Sequence, residues 1–244
     1  MKFAFSWLLD LLYPRDCFFC QRPAGKHGHI CQECFERIPV VRNPSCSICG
    51  AESTLSEGPD FICDECLQHR PAFERAIVAT RYAGAIRDLI HCFKYHRGIW
   101  LLDDLILWMQ AAYIEQIEGK NIHIDALVPI PMLPRKRRHR GYNQASLLAA
   151  ALGKVLTLPC REKLLRRVDT GILSQTHLRR KERLVNALAA YRTEHPRHIR
   201  GQTLLLIDDV MTTGATCHAC AHLLKAAGAK TVYVLVLARG LHNS

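Results

Sequence analysis

Two sets of residues in this chain have types and spacings that can do chemistry. The first lies in the run from Leu204 to Thr216, where three leucines and Ile207 lead into Asp208 and Asp209. Val210, Met211, Thr212, Thr213, Gly214, Ala215 and Thr216 follow. Four aliphatic residues without polar alternation read as a parallel strand buried on both faces, ending at Asp208. Thr212 to Thr216 then turn into a helix expected over 217–227, so free backbone N–H groups, threonine hydroxyls and the positive end of a helix dipole converge. That is a phosphate cradle. The paired carboxylates before it can accept hydrogen bonds from two neighbouring hydroxyls, which fits the 2- and 3-hydroxyls of a ribose whose 5-phosphate sits in the turn. The bland alternative is a turn capped by Asp208 that binds nothing. A Walker A loop is excluded, because no Gly-Lys-Ser/Thr follows.

The second set is four Cys-x-x-Cys pairs: Cys17 and Cys20, Cys31 and Cys34, Cys46 and Cys49, Cys63 and Cys66. Each pair places two sulfurs on one side of a tight turn, and two pairs supply the four thiolates of a structural zinc ion. Eight cysteines make two such sites. Spacing alone allows consecutive pairs or the first and third pairs to share an ion. Redox use is the rival, but four successive pairs without a thioredoxin-like surrounding favour a structural role. DNA binding by this region is disfavoured by its charge, since residues 1–70 carry seven Lys or Arg against nine Asp or Glu. A fifth pair, Cys217 and Cys220, sits in a predicted helix and is assigned no metal.

Elsewhere the chain is strongly basic, with a formal net charge of +11. Five of the six residues from Arg135 to Arg140 are Arg or Lys. They follow a buried strand expected over 125–131, and the C-terminal end of a parallel strand is where an α/β sheet binds ligands. Arg135, Arg138 and Arg140 are the candidates for phosphate contacts, because guanidinium forks match phosphate oxygens. The alternative is a solvated basic loop that reads a nucleic-acid backbone. Lys94 ends an amphipathic helix; it either faces a ligand or is an exposed last-turn residue favoured by the helix dipole.

The elements that must position these groups follow from periodicity. Residues 76–82 and 231–239 read as strands. Ile86, Leu89, Ile90 and Phe93 share one helix face, 101–117 forms a helix too apolar to be fully exposed, and 145–156 forms another. Residues 164–176 are a polar excursion, followed by a helix expected over 178–191. The result is an α/β fold with a mainly parallel sheet over residues 71–244, preceded by a metal-bound module over 1–70. The opening residues 1–14 contain one lysine and an apolar stretch, but Asp10 interrupts it and no small-x-small cleavage site follows. They are expected to be a short amphipathic helix docked on the cysteine module, with peripheral membrane contact as the alternative. No segment is long enough to span a bilayer. The expected compartment is the cytoplasm, where twelve cysteines stay reduced and pairs of them bind metal instead of forming disulfides.

The segment from the aliphatic run through Asp208 and Asp209 to Thr-Gly-x-Thr is similar to the 5-phosphoribosyl 1-pyrophosphate (PRPP) motif of type I phosphoribosyltransferases. With the cysteine pairs ahead of it, the whole chain resembles the ComF/GntX family. The resemblance implies a double zinc ribbon with consecutive pairing, then a type I phosphoribosyltransferase-like domain that begins at Tyr82, Gly84 and Lys94. It implies two structural zinc ions, and PRPP with Mg²⁺ as the ligand. Asp208, Asp209 and Arg167 are then the catalytic residues; Lys94, Arg135, Arg138 and Arg140 meet pyrophosphate, and Val210 to Thr216 hold the phosphoribosyl group. Arg167, Gln175, Arg179, Arg183 and Asn186 match the family's cleft-covering loop, with Ser174 where Thr is more usual. The family's association is with DNA uptake in natural transformation, so single-stranded DNA and DNA-uptake proteins are the implied partners. The expected function is phosphoribosyl transfer to an unidentified acceptor. The alternatives are a non-catalytic single-stranded-DNA-handling accessory protein and a PRPP-sensing regulator.

Overall fold

The structure, a computed structural model, describes residues 15–24, 28–41, 44–53, 58, 60–169 and 188–240. Among these the helices, in chain order, are α1 (Gln32–Glu36), α2 (Asp64–Gln68), α3 (Gly84–Tyr95), α4 (Leu102–Gln116), α5 (Pro134–Arg140), α6 (Gln144–Leu156) and α7 (Ala215–Ala226). The strands are β1 (Ala76–Arg81), β2 (Ala126–Pro129), β3 (Leu165–Arg167), β4 (Tyr191–Thr193), β5 (Thr203–Met211) and β6 (Thr231–Arg239).

Four strands form one parallel sheet in the order β1-β6-β5-β2. Their aliphatic runs divide by parity, as a two-residue side-chain period requires. Leu205, Ile207, Leu235 and Leu237 face a layer containing α3, α4 and α6. Leu204, Leu206, Val234 and Val236 face α7 and the antiparallel pair β3–β4. Both faces are covered, which is why these strands carry no polar alternation. The apolar face of α3 is buried at Ile86, Leu89, Ile90 and Phe93.

The cysteine module is built into these same layers. Cys17, Ile30, Cys34 and Ile38 join the cluster on the α4 side, whereas Cys46, Ile48, Cys49 and Cys66 join the α7 side. The module thus straddles the edge strand β1. Residues 39–41 run antiparallel along that edge: Arg81 N–H donates to the Pro39 carbonyl at 2.9 Å and Val41 N–H to the Ala79 carbonyl at 3.4 Å. At the other end of β1, Ala76 N–H donates to the Ile48 carbonyl at 2.7 Å. An edge that would otherwise offer free donors and acceptors is capped. Phe35 of the module stacks on Trp108 of α4 with ring centroids 4.2 Å apart, and Asp104 of α4 accepts the His29 N–H at 2.9 Å. No helix among the described residues is long and apolar enough to cross a membrane.

Three elements differ from the expectation. β5 does not stop at Asp208 but runs to Met211, because β6 is equally long and pairs with it throughout, Val210 opposite Ala238 and Met211 opposite Arg239. The basic stretch after β2 is a helix, α5, entered through Pro134 at its first turn and closed by Gly141 at φ 87°. Tyr191, expected to end a helix, begins β4 and pairs with Arg167 of β3. Residues 1–14 and the positions Ser174, Gln175, Arg179, Arg183 and Asn186 lie outside the described residues.

Candidate functional site

The cleft originates in unequal strand lengths. β2 ends at Pro129, opposite Ile207, and the last bond on that side is from Ile130 N–H to the Ile207 carbonyl at 3.0 Å. β5 continues for four residues with a partner on the β6 side only. Asp208 and Asp209 therefore sit on an overhang whose open edge faces the chain leaving β2. From there α6 goes to one face of the sheet and α7 to the other, so a crevice opens between them at the strand ends.

This crevice is a cavity of about 180 Å³. Asp208, Asp209 and Thr216 line it together with four cations, Lys94, Lys136, Arg140 and Arg167. Lys94, in the last turn of α3, donates from Nζ to Oδ1 of Asp209 at 2.8 Å. The same turn is anchored by the Tyr142 hydroxyl, which donates to the Phe93 carbonyl. Asp208 accepts the Asp209 N–H at 2.9 Å. Burial, and then the neighbouring Asp209 charge, push the Asp208 carboxyl up to about 7, against a smaller downward pull from the Asp209 N–H, Lys94 and Arg167. Near neutral pH this group can both donate and accept a hydrogen bond.

Lys136 and Arg140 reach the cleft together because they are four residues apart on α5. Burial, with the positive charges of Arg167, Arg140 and Arg135 added, lowers the Lys136 ammonium from its ordinary value. Arg140 donates to Gln144 Oε1 at 3.1 Å and to the Tyr95 hydroxyl at 3.0 Å, which holds its fork in place. Arg167 lies over the Tyr191 ring, 5.3 Å from the centroid. Gln144 and Tyr191 are each 1% exposed and line the same cavity. Gln144 Nε2 and Arg167 Nε have no hydrogen-bond partner among the described residues. Buried donors of this kind are costly unless a ligand or water takes them up.

The other predicted residues lie around this centre. Thr216 alone of the Thr212–Thr216 turn lines the cavity; Thr212 is exposed, and Met211 is buried beneath the turn. Gly214 takes φ 75° at the start of α7, a conformation that glycine reaches without a Cβ penalty. Ala215 N–H donates to the Thr213 hydroxyl at 3.4 Å. Arg135 and Arg138 are exposed and outside the cavity, and Arg135 is 3.9 Å from Asp169. Lys136, Gln144 and Tyr191 were not among the sequence candidates. Only the helical offset from Arg140 could have pointed to Lys136.

The eight module cysteines gather into two sets, Cys17, Cys20, Cys31 and Cys34, and Cys46, Cys49, Cys63 and Cys66, with the sulfurs of each set within 4.8 Å of one another. Consecutive pairs share a site. The Cys20 and Cys31 sulfurs are 3.6 Å apart and those of Cys49 and Cys63 3.7 Å. Four sulfurs placed tetrahedrally about 2.3 Å from a zinc ion are about 3.8 Å from one another. The donor sets therefore fit two structural zinc ions.

Residues 8–68 match the double zinc ribbon domain and residues 138–243 the phosphoribosyl transferase domain. Over 237 residues the chain is 32% identical to the DNA utilization protein YhgH of Escherichia coli O6:H1, covering 95% of this chain and all of that one. It is 29% identical to competence protein F of Haemophilus influenzae, over 88% of this chain and 92% of that one. To competence protein ComFC of Bacillus subtilis it is 24% identical, over 80% and 77% respectively. The paired four-cysteine sites, the parallel sheet behind them and relatives matched from end to end place this chain in the ComF/GntX family of proteins that join a double zinc ribbon to a phosphoribosyltransferase-like domain.

Proposed function

We propose that the cleft binds PRPP with Mg²⁺ and transfers its phosphoribosyl group to an acceptor, in a protein that serves DNA utilization or uptake in the cytoplasm. The observation that carries this reading is the β5 overhang, which sets two carboxylates among four cations beside the start of α7. Asp208 and Asp209 take the ribose 2- and 3-hydroxyls, and Asp208, near half protonation at neutral pH, can donate to one of them. Thr216, with the amides and hydroxyls of the turn before it, takes the 5-phosphate. Lys94 exchanges Asp209 for a pyrophosphate oxygen, and Lys136, Arg140 and Arg167 hold the rest of that group. As the bond at the sugar C1 breaks, negative charge grows on the departing pyrophosphate, where these cations already stand. Two carboxylates facing an anionic substrate make an oxygen donor set suited to Mg²⁺, whose contribution when bound is to neutralise the same charge.

Calorimetry with PRPP and Mg²⁺ on zinc-loaded protein tests the reading. Binding by the wild type and its loss in Asp208→Asn with Asp209→Asn is the expected result; a wild type that takes up no PRPP ends the proposal. Pyrophosphate release in the presence of candidate acceptors then separates transfer from binding alone.

A second reading, a surface for single-stranded DNA, is favoured by the outer side of α5. There Arg135, Arg137, Arg138 and His139 are exposed and turned away from the cavity. Neutralising the three arginines should flatten the dependence of log affinity on log salt by about 2, at roughly 0.7 per phosphate contact on a single strand. An unchanged slope removes this surface from any DNA role.

A further inference from the structure

Arg239, the last residue of β6, is 7% exposed and is not used by the cleft. Among the described residues no carboxylate lies within ion-pair distance of its guanidinium, and its hydrogen bond runs from Nη1 to the Cys49 carbonyl at 2.8 Å. A buried cation without a counter-charge is strongly disfavoured. The second cysteine set, whose Cys49 carbonyl the guanidinium already touches, is a candidate source of that charge. Four thiolates around one Zn²⁺ carry a net double negative charge, and Cys49 is one of the four.

The other side of Arg239 reaches the phosphoribosyl turn. It stands opposite Met211 in the β5–β6 register, and the next residue, Gly240, donates its N–H to the Met211 carbonyl at 3.0 Å. Met211 is buried directly before Thr212, and its sulfur lies 3.6 Å from where a Cβ on Gly214 would stand. From the cysteine site to the turn the path is therefore short: Cys49 to Arg239 by a hydrogen bond, Arg239 to Met211 by strand pairing, and Met211 directly into the turn at Thr212.

We propose that Arg239 is a positioning residue that balances the charge of the second zinc site and fixes the end of β5, so that metal occupancy at Cys46, Cys49, Cys63 and Cys66 sets the order of the strand end and turn over 209–216. Groups just outside a metal's ligands commonly hold a site in shape, and here Arg239 does so through the backbone of the loop that carries Cys46 and Cys49. Here the donor is also anchored to the strand pair that carries the carboxylates. Coupling of this sort is reciprocal: whatever orders the turn tightens binding of that ion, and loss of the ion loosens the turn.

The test uses the full zinc-loaded chain without any cleft ligand, in three forms: wild type, Arg239→Met and Arg239→Lys. Zinc release into an excess of a chromogenic chelator and hydrogen exchange of the backbone amides over 209–216 are the two readouts. Arg239→Met should release one of two zinc equivalents at least tenfold faster and exchange at 209–216 at least fivefold faster, with the α4 amides unchanged. Arg239→Lys keeps the charge and should stay within threefold of wild type on both. Wild-type zinc release in Arg239→Met overturns the proposal, as does unchanged exchange over 209–216. Equal defects in the Met and Lys variants also overturn it, since they would show a role in packing alone. The inference rests on zinc in the second four-cysteine set and not on PRPP, so failure of PRPP binding would remove the proposed function and leave these measurements decisive.

Discussion

Asp208→Asn should make the protein more stable, and by an amount that depends on pH. The Asp208 carboxyl sits at about 7 against an ordinary value of 3.8. Between those values the folded chain holds a proton that the unfolded chain has released, so stability falls as pH rises through that window and the full penalty is present above it. At about 1.4 kcal/mol per pH unit the penalty is on the order of 3 kcal/mol at pH 6 and about 4 kcal/mol at pH 8.5. Asparagine removes the charge while its Oδ1 still accepts the Asp209 N–H that now reaches Asp208 at 2.9 Å. The variant should therefore gain more at pH 8.5 than at pH 6, by roughly 1 kcal/mol. For a chain of this length each kcal/mol moves the melting temperature by about 2–4 °C. Thermal and denaturant unfolding of both proteins at saturating zinc, across pH 6 to 8.5, measures the difference. A variant that is less stable than wild type, or whose advantage is the same at both ends of the range, refutes the placement of a destabilised carboxyl on the overhang. A stabilised variant that has also lost PRPP would show that the carboxylate is kept for binding at a cost in stability.

Three further outcomes follow from the same geometry. Metal analysis of the purified protein should give two zinc ions per chain, and Cys46→Ser with Cys49→Ser should lower this to one; no loss in that variant contradicts two independent four-cysteine sites. Lys94→Met removes the cation from Asp209 and from the pull that lowers Asp208, so the Asp208 carboxyl should titrate higher still by NMR. PRPP affinity should drop about 10- to 100-fold, the range of a charge-assisted hydrogen bond. Trp108→Ala empties a buried site that stacks on Phe35 of the cysteine module and should destabilise by about 3–5 kcal/mol in denaturant, with the Cys17 to Cys34 site losing zinc more readily. A change below about 1 kcal/mol would mean that the module does not lean on α4.

What could be read in advance was whatever leaves an apolar pattern. Thr231 to Arg239 is a strand from end to end, and the buried side of α3 is the four residues that periodicity selects. The Cys-x-x-Cys pairs are legible because metal geometry dictates their spacing, although which pairs share an ion depends on how the module folds. β5 was cut short because its apolar run ends at Ile207; what extends it to Met211 is the length of β6, a partner that local sequence does not reveal. α5 escaped because a run of arginines has no hydrophobic face. Its signals were the brackets, Pro134 at the entry and Gly141 at the exit. Without the helix there was no means of seeing that Lys136 shares a side with Arg140 or that Arg138 does not. Tyr191 and Gln144 carry no motif at all, and their position in the cleft depends on β4 and α6 being packed against opposite faces of the sheet.

Both outer strands of the sheet are bridged by neighbouring chain, residues 39–41 on β1 and residues 159–161 on β2, and what distinguishes them is length. The order β1-β6-β5-β2 leaves β1 and β2 outermost. β1 is capped by residues 39–41 and by Ile48 of the cysteine module, whose two four-cysteine sets fit structural zinc. β2 is cut off by its proline after four residues, and the shortfall exposes the end of β5. β1 is covered by the cysteine module at both ends, whereas β2 stops short and leaves the end of β5 open on one side. Only β6 lies between β1 and β5, in contact with both. A change at the module edge can reach the carboxylates along β6, where Arg239 donates to the Cys49 carbonyl and stands opposite Met211, or along α3, whose Lys94 holds Asp209.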